Sequence, residues 1–177
     1  PLSVVARRQY GRACAAAGRF DEAAGALRAA IDLNPQAGLT RATLSCTRLL
    51  QGRFDEALEE AEREVLPTYR FLAIAMAQHA LGRADASAAA LRSLVDNDAD
   101  TAAYQIAQVH AYRRETDRAF DWLERAHAQR DSGLANTATV TVSSGATLAT
   151  NGNDSIGALT LGGTISGTST LAPTSVT

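Results

Sequence analysis

The string Gly18-Arg19-Phe20-Asp21-Glu22-Ala23 returns as Gly52-Arg53-Phe54-Asp55-Glu56-Ala57, 34 residues further on. Weaker copies follow, beginning Gly82-Arg83-Ala84-Asp85 and Arg114-Glu115-Thr116-Asp117. A period near 34 means that one supersecondary unit is used several times, each copy burying the apolar face of the next. Local chemistry says what the unit is. Gly18, Gly52 and Gly82 fall just past helical segments, where a left-handed residue closes a helix at no Cβ cost. Asp21, Asp55, Asp85 and Asp117 then stand at the start of the following helix, where a carboxylate is expected to accept hydrogen bonds from the free amides. Pro35 and Pro67 are expected to close the first and second units. The pattern predicts eight helices, over 4–17, 21–33, 38–51, 55–66, 68–81, 85–96, 100–113 and 117–130.

Packing positions agree with the repeat. Gly11, Ala23 and Ala30 are small where two helices must approach, as are Ala75 and Ser87, and Ala107, Ala119 and Ala126. Two units depart from the pattern. Glu64 takes a place that is small elsewhere, and Arg114 replaces the turn glycine. Local distortion is expected at both, without loss of the helical pair. Composition supports helical packing, since 46% of residues are hydrophobic but only 5% are aromatic, and alanine is abundant. A net charge of -2 gives no general attraction to nucleic acid or to an anionic membrane.

The 34-residue spacing and its Gly-x-x-Asp-x-small turn resemble the tetratricopeptide repeat. The segment from Ala103 to Tyr112, followed by Asp117-Arg118-Ala119-Phe120-Asp121-Trp122-Leu123-Glu124-Arg125-Ala126, is similar to the last repeat in the C-terminal region of bacterial multidomain regulators. The resemblance covers residues 3–133. It implies a mainly α fold, a right-handed α-α superhelix of about four helical hairpins, acting as a non-enzymatic scaffold. It also implies a concave groove lined by the first helix of each pair, which would bind a peptide or protein segment. The family's groove positions fall here on Arg8 and Arg12, then Leu49, then Tyr69, Met76 and His79, then Tyr104, Gln108 and Tyr112. Arg8 and Arg12 lie one turn apart and could share a carboxylate.

Composition changes near 133–135. Residues 134–177 hold a single charged residue, Asp154, whereas the preceding region holds all 17 basic residues, every one an arginine. This sets the expected boundary between a helical repeat domain, 1–133, and a Thr/Ser/Gly-rich tail, 134–177. The run Thr137-Ala138-Thr139-Val140-Thr141-Val142-Ser143 alternates with period two, as a strand does. With the glycine and Asn-Gly breaks that follow, the tail is expected to be β-rich or disordered. It resembles the β-repeat passengers of autotransporters and adhesins.

Sequence inspection finds no catalytic constellation. Cys14 and Cys46 lack CxxC spacing; His79 and His110 fall on the first helices of adjacent units without a third metal ligand, and His127 falls on the last helix. The tail glycines lack the lysine of a phosphate loop. The carboxylates from Asp55 to Glu64 fit a solvated helix face. The reading is therefore no enzyme and no cofactor, with a protein or peptide partner, no nucleic acid and no membrane insertion. Two alternatives stand beside it: a fragment of an exported adhesin-like protein, and weak self-association through the last hairpin, which carries Phe120, Trp122 and Leu123. The compartment follows the same division, cytoplasmic for the helical region and exported if the tail is native to the chain.

Overall fold

The computed structural model describes residues 3–129 and, beyond them, the backbone of four short strands. Eight helices follow in order: α1 (Val4–Ala16), α2 (Phe20–Leu33), α3 (Thr40–Leu50), α4 (Phe54–Glu62), α5 (Pro67–Ala80), α6 (Ala84–Asp98), α7 (Ala103–Tyr112) and α8 (Thr116–Ala128). They form four antiparallel hairpins, α1–α2 to α7–α8. Each hairpin stacks on the next, with α2 against α3, α4 against α5 and α6 against α7. The first helices also touch along the stack, α1 with α3, α3 with α5 and α5 with α7. They therefore share one continuous side. Among the described residues no helix is long and apolar enough to cross a membrane.

The turns show why the repeated string exists. Gly18, Gly52 and Gly82 have φ of 75°, 73° and 73°. After each, the next amide reaches back to a carbonyl five residues earlier: Arg19 N to Cys14 O, Arg53 N to Arg48 O, and Arg83 N to Gln78 O, all at 2.9 Å. This is the Schellman closure that a left-handed residue permits. Arg114 adopts the same conformation at φ 60°, and Glu115 N bonds His110 O at the same 2.9 Å. The fourth turn is therefore undistorted, and the missing glycine appears only as the steric cost of a Cβ in the left-handed region. Arg114→Gly is expected to raise stability by about 0.5–1 kcal/mol, the relief of strain exceeding the added freedom of the unfolded chain. Urea denaturation of the two proteins checks this.

The repeated aspartates act differently from expectation. The N-cap positions are Arg19, Arg53, Arg83 and Glu115, none of which makes a side-chain cap bond, and helices α2, α4, α6 and α8 begin one residue before each aspartate. Asp21, Asp55, Asp85 and Asp117 sit within the first turn, where their charge meets the positive end of the helix dipole. Asp21 also accepts a bond from Gln51 of the next hairpin at 2.8 Å. Pro67 likewise opens α5 as its first residue, a place where the missing N–H is no loss.

Glu64 is the largest departure from the pattern and has a clear purpose. It is 1% exposed, beyond the early end of α4. Its carboxylate accepts from Leu39 N and Ala42 N at 2.9 Å and from Leu66 N at 3.1 Å. Leu39 is left-handed, φ 70°, and has no side-chain oxygen to cap α3. Glu64 supplies that cap from the far end of its own hairpin. The side chain thus closes two helix starts with one buried group.

The core lies between the helices. Its main cluster joins Leu72 of α5, Leu91 and Leu94 of α6, and Ile106 and Val109 of α7, with Trp122 packed against it. A second joins Ala24, Leu27 and Ile31 of α2 to Leu44 of α3. Small residues allow the close approach: a Cβ on Gly11 would stand 2.8 Å from Leu27 Cγ.

By its contacts the chain divides into two units, Pro1–Asp131 and Ser132–Thr177. In the second unit β1 (Thr139–Val142) pairs in parallel with β3 (Ala158–Leu161), and β2 (Leu148–Ala149) with β4 (Ile165–Ser166). Each strand therefore pairs with the next but one, which requires a crossover between partners. The Asn-Gly breaks of the tail lie outside the described residues.

Candidate functional site

The shared side built by the first helices carries an uneven charge. Helices α1, α3, α5 and α7 hold six arginines (Arg7, Arg8, Arg12, Arg41, Arg48 and Arg70) and no aspartate or glutamate. The second helices, α2, α4, α6 and α8, hold 14 carboxylates against four arginines. Charges of opposite sign are thus sorted onto opposite members of the first three hairpins, while α7 carries no arginine and no carboxylate, although the whole chain is near neutral. Local pairing explains only part of this. Arg41 bonds Glu60 at 2.8 Å within its own hairpin, whereas Arg7, Arg8 and Arg12 enter no ion pair among the described residues.

Near the C-terminal ends of these helices, side chains from three hairpins meet. Leu49 of α3 is buried with Ala57 and Ala77, and Met76, Leu58 and Tyr112 pack around them. The His79 ring stands edge-on to Tyr112, centroids 6.0 Å apart. His79 is exposed, while Met76 and Tyr112 are half-buried. Burial, reinforced by the charge of the Cys46 thiolate, raises the phenol of Tyr112 above its usual range. Burial pushes the Cys46 thiol itself up to about 11, which keeps it protonated and unreactive at neutral pH.

Of the residues singled out by register, Leu49, Met76, His79 and Tyr112 are therefore brought together. The others are placed elsewhere. Tyr69 is half-buried against the main core cluster. Tyr104 is half-buried and Gln108 exposed on α7. Arg8 is half-buried and donates to Gly38 O at 3.2 Å, while the exposed Arg12 reaches Gln9 Oε1 at 3.5 Å. The two arginines do not present a matched pair of free guanidinium groups. Charge sorting by helix was a signal in the sequence that residue-by-residue transfer of groove positions did not use.

Two polar pairs under the turns are structural. Arg48 and His110 occupy the same register in α3 and α7. Arg48 is 2% exposed; Nη1 donates to Gln51 Oε1 at 2.6 Å and Nε lies 3.4 Å from Glu56. Burial lowers its pKa, with Arg28 and Arg53 adding repulsion. His110 Nδ1 lies 2.5 Å from Glu115 Oε2, and Arg113 is 2.8 Å from the other oxygen of that carboxylate. For Glu115, burial acts to raise the pKa but is outweighed by the His110 hydrogen bond and by Arg113, His110 and Arg118, so the net shift is downward. A depressed carboxyl contributes stability that is full above its unfolded value, near 4.3, and is lost as pH falls through the folded value. The stability difference between the native protein and Glu115→Gln should therefore shrink on acidification below about pH 4.3, as followed by urea denaturation across a pH series. A difference independent of pH would contradict the assignment. Among the described residues no group of three or more His, Cys, Asp or Glu side chains is placed to hold a metal ion.

Four stacked hairpins, each turned by a left-handed residue that is glycine in three of them, with small residues at the helix crossings, define a tetratricopeptide-like helical-repeat protein. The fold is similar to that in the crystal structure of MamA, a tetratricopeptide-containing protein. The match is 14% identical over 72% of this chain and 78% of that one, with a TM-score of 0.50. No protein-family model and no curated protein sequence matches the chain.

Proposed function

We propose that the helical region, 1–133, is a non-enzymatic scaffold that binds an acidic segment of a partner protein along the concave groove lined by α1, α3, α5 and α7. The observation that carries this is the sorting of charge: the first helices hold no carboxylate, and four of their six arginines, Arg7, Arg8, Arg12 and Arg70, enter no ion pair among the described residues. A groove of one sign attracts the opposite one over several ångströms and speeds encounter with it. The cluster of Met76, His79 and Tyr112 adds an amphipathic seat for one large apolar side chain, since thioether and aromatic surfaces adapt to varied shapes. The tail, 134–177, is read as a separate appended unit.

Selection of a displayed random-peptide library on the full chain tests the reading. Enriched peptides should be acidic and carry an aromatic or large aliphatic residue. Arg12→Glu with His79→Glu, both exposed sites, should weaken binding of the selected peptide at least about tenfold and make it less sensitive to salt. Glu59→Lys with Glu62→Lys on α4 should not weaken it. Enrichment of basic peptides, or equal effects from the two pairs, would refute the groove assignment.

A further inference from the structure

We propose that the outer face of α8 takes α1 of a second copy of this chain, head to tail, continuing the stack from one molecule to the next. The repeats themselves say what covers such a face. At the first internal junction Thr40, Leu44 and Thr47 of α3 are 0%, 0% and 1% exposed, and Leu44 is clustered with Ala24, Leu27 and Ile31 of α2. At the third junction Ala102, Ile106 and Val109 take the same register at 2%, 0% and 0%, with Ile106 clustered against Leu91 of α6.

The corresponding positions at the two outer faces are less covered by the described residues. On α1 they are Ala6, half-buried, Tyr10, 46% exposed, and Ala13, exposed. The Tyr10 hydroxyl is held by Glu22, which leaves its ring at the surface. On α8, Phe120 stands where Ala24 stands in α2 and is 61% exposed; Leu123, the counterpart of the fully buried Leu27, is half-buried. One face is thus the plug and the other the socket of a junction that the chain already makes internally. The alanines of α1 leave room for the larger Phe120.

Charge agrees with the pairing. Helix α1 has three arginines and no carboxylate. Asp117, Asp121 and Glu124 of α8 enter no ion pair among the described residues, while the arginines of that helix, Arg118 and Arg125, are engaged by Glu115 and Asp100. Opposed in this way the two faces attract, whereas α8 against α8 would set like charges together. A head-to-tail contact that continues the stack leaves one free face at each end, so association should be open-ended.

Sedimentation equilibrium of the 177-residue chain over a concentration series tests this. Two exposed positions are changed to glutamate, a good helix former: Phe120→Glu spoils the α8 face and Ala13→Glu the α1 face. The native protein should rise in average mass with concentration beyond two chains. Each variant alone should stay at 18.6 kDa. Their equimolar mixture should form a pair and stop there, because one intact face of each kind remains. A native protein that stays at one chain mass, as it would if its own residues after α8 or another helix covered the face, overturns the proposal. So does a mixture that does not pair, or an Ala13→Glu protein that associates as the native one does.

Discussion

Glu64→Ala is expected to destabilise the helical unit by about 2–4 kcal/mol, because it strips three backbone amides of their acceptor at a site 1% exposed. The loss has two parts. The start of α3 loses its cap, and the left-handed Leu39 loses the bond that offsets its strain. Glu64→Gln should recover less than half, since its amide nitrogen would point donors at donors. Urea denaturation gives the size, and hydrogen exchange gives the place, with faster exchange at Leu39 and Ala42. A Glu64→Ala protein within about 0.5 kcal/mol of the native one would show that the capping role is wrong.

Leu44→Ala is expected to cost about 3–5 kcal/mol, whereas Tyr10→Ala, at the same register of the first hairpin, should cost under about 1 kcal/mol. Leu44 is fully buried against α2, and its removal leaves a cavity between two hairpins. Among the described residues no other hairpin packs over Tyr10, which is 46% exposed. In a stacked array, stability is held largely in such junctions, so breaking one should also reduce the cooperativity of unfolding. Similar costs at the two positions would mean that the register is misaligned.

Much of the fold was legible because the repeat couples local chemistry to spacing. The glycine turns were readable from Gly18, Gly52 and Gly82 alone, and all eight helices fall close to the limits that the periodicity sets. The misread features turn on backbone geometry that spacing alone does not give. Asp21, Asp55, Asp85 and Asp117 looked like caps, but each helix starts one residue earlier, so the carboxylates act through the dipole instead. Glu64 looked like a flaw because nothing nearby explains it; its purpose depends on amides at 39 and 42, which only the folded hairpin brings close. Arg114 looked like a distortion, yet the backbone bonds around it constrain φ more strongly than its Cβ resists.

The candidate site divides in the same way. Register alone brought Leu49, Met76, His79 and Tyr112 to one place, because it fixes which turn of each first helix a residue occupies. It could not say that Arg8 would turn to the Gly38 carbonyl or that Tyr69 would join the core. The sorting of charge was present in the sequence throughout. It becomes visible when residues are grouped by helix, and the dense run from Asp55 to Glu64 obscures it when read as a local cluster.

An acidic partner lying along the first helices, as proposed, should shield the backbone there when it binds. Hydrogen–deuterium exchange of the full chain, with and without a selected acidic peptide, tests it most directly. Slower exchange should appear in α1, α3, α5 and α7 and spare the outward segments of α4 and α6. Protection confined to the second helices, or to the tail, would contradict the account.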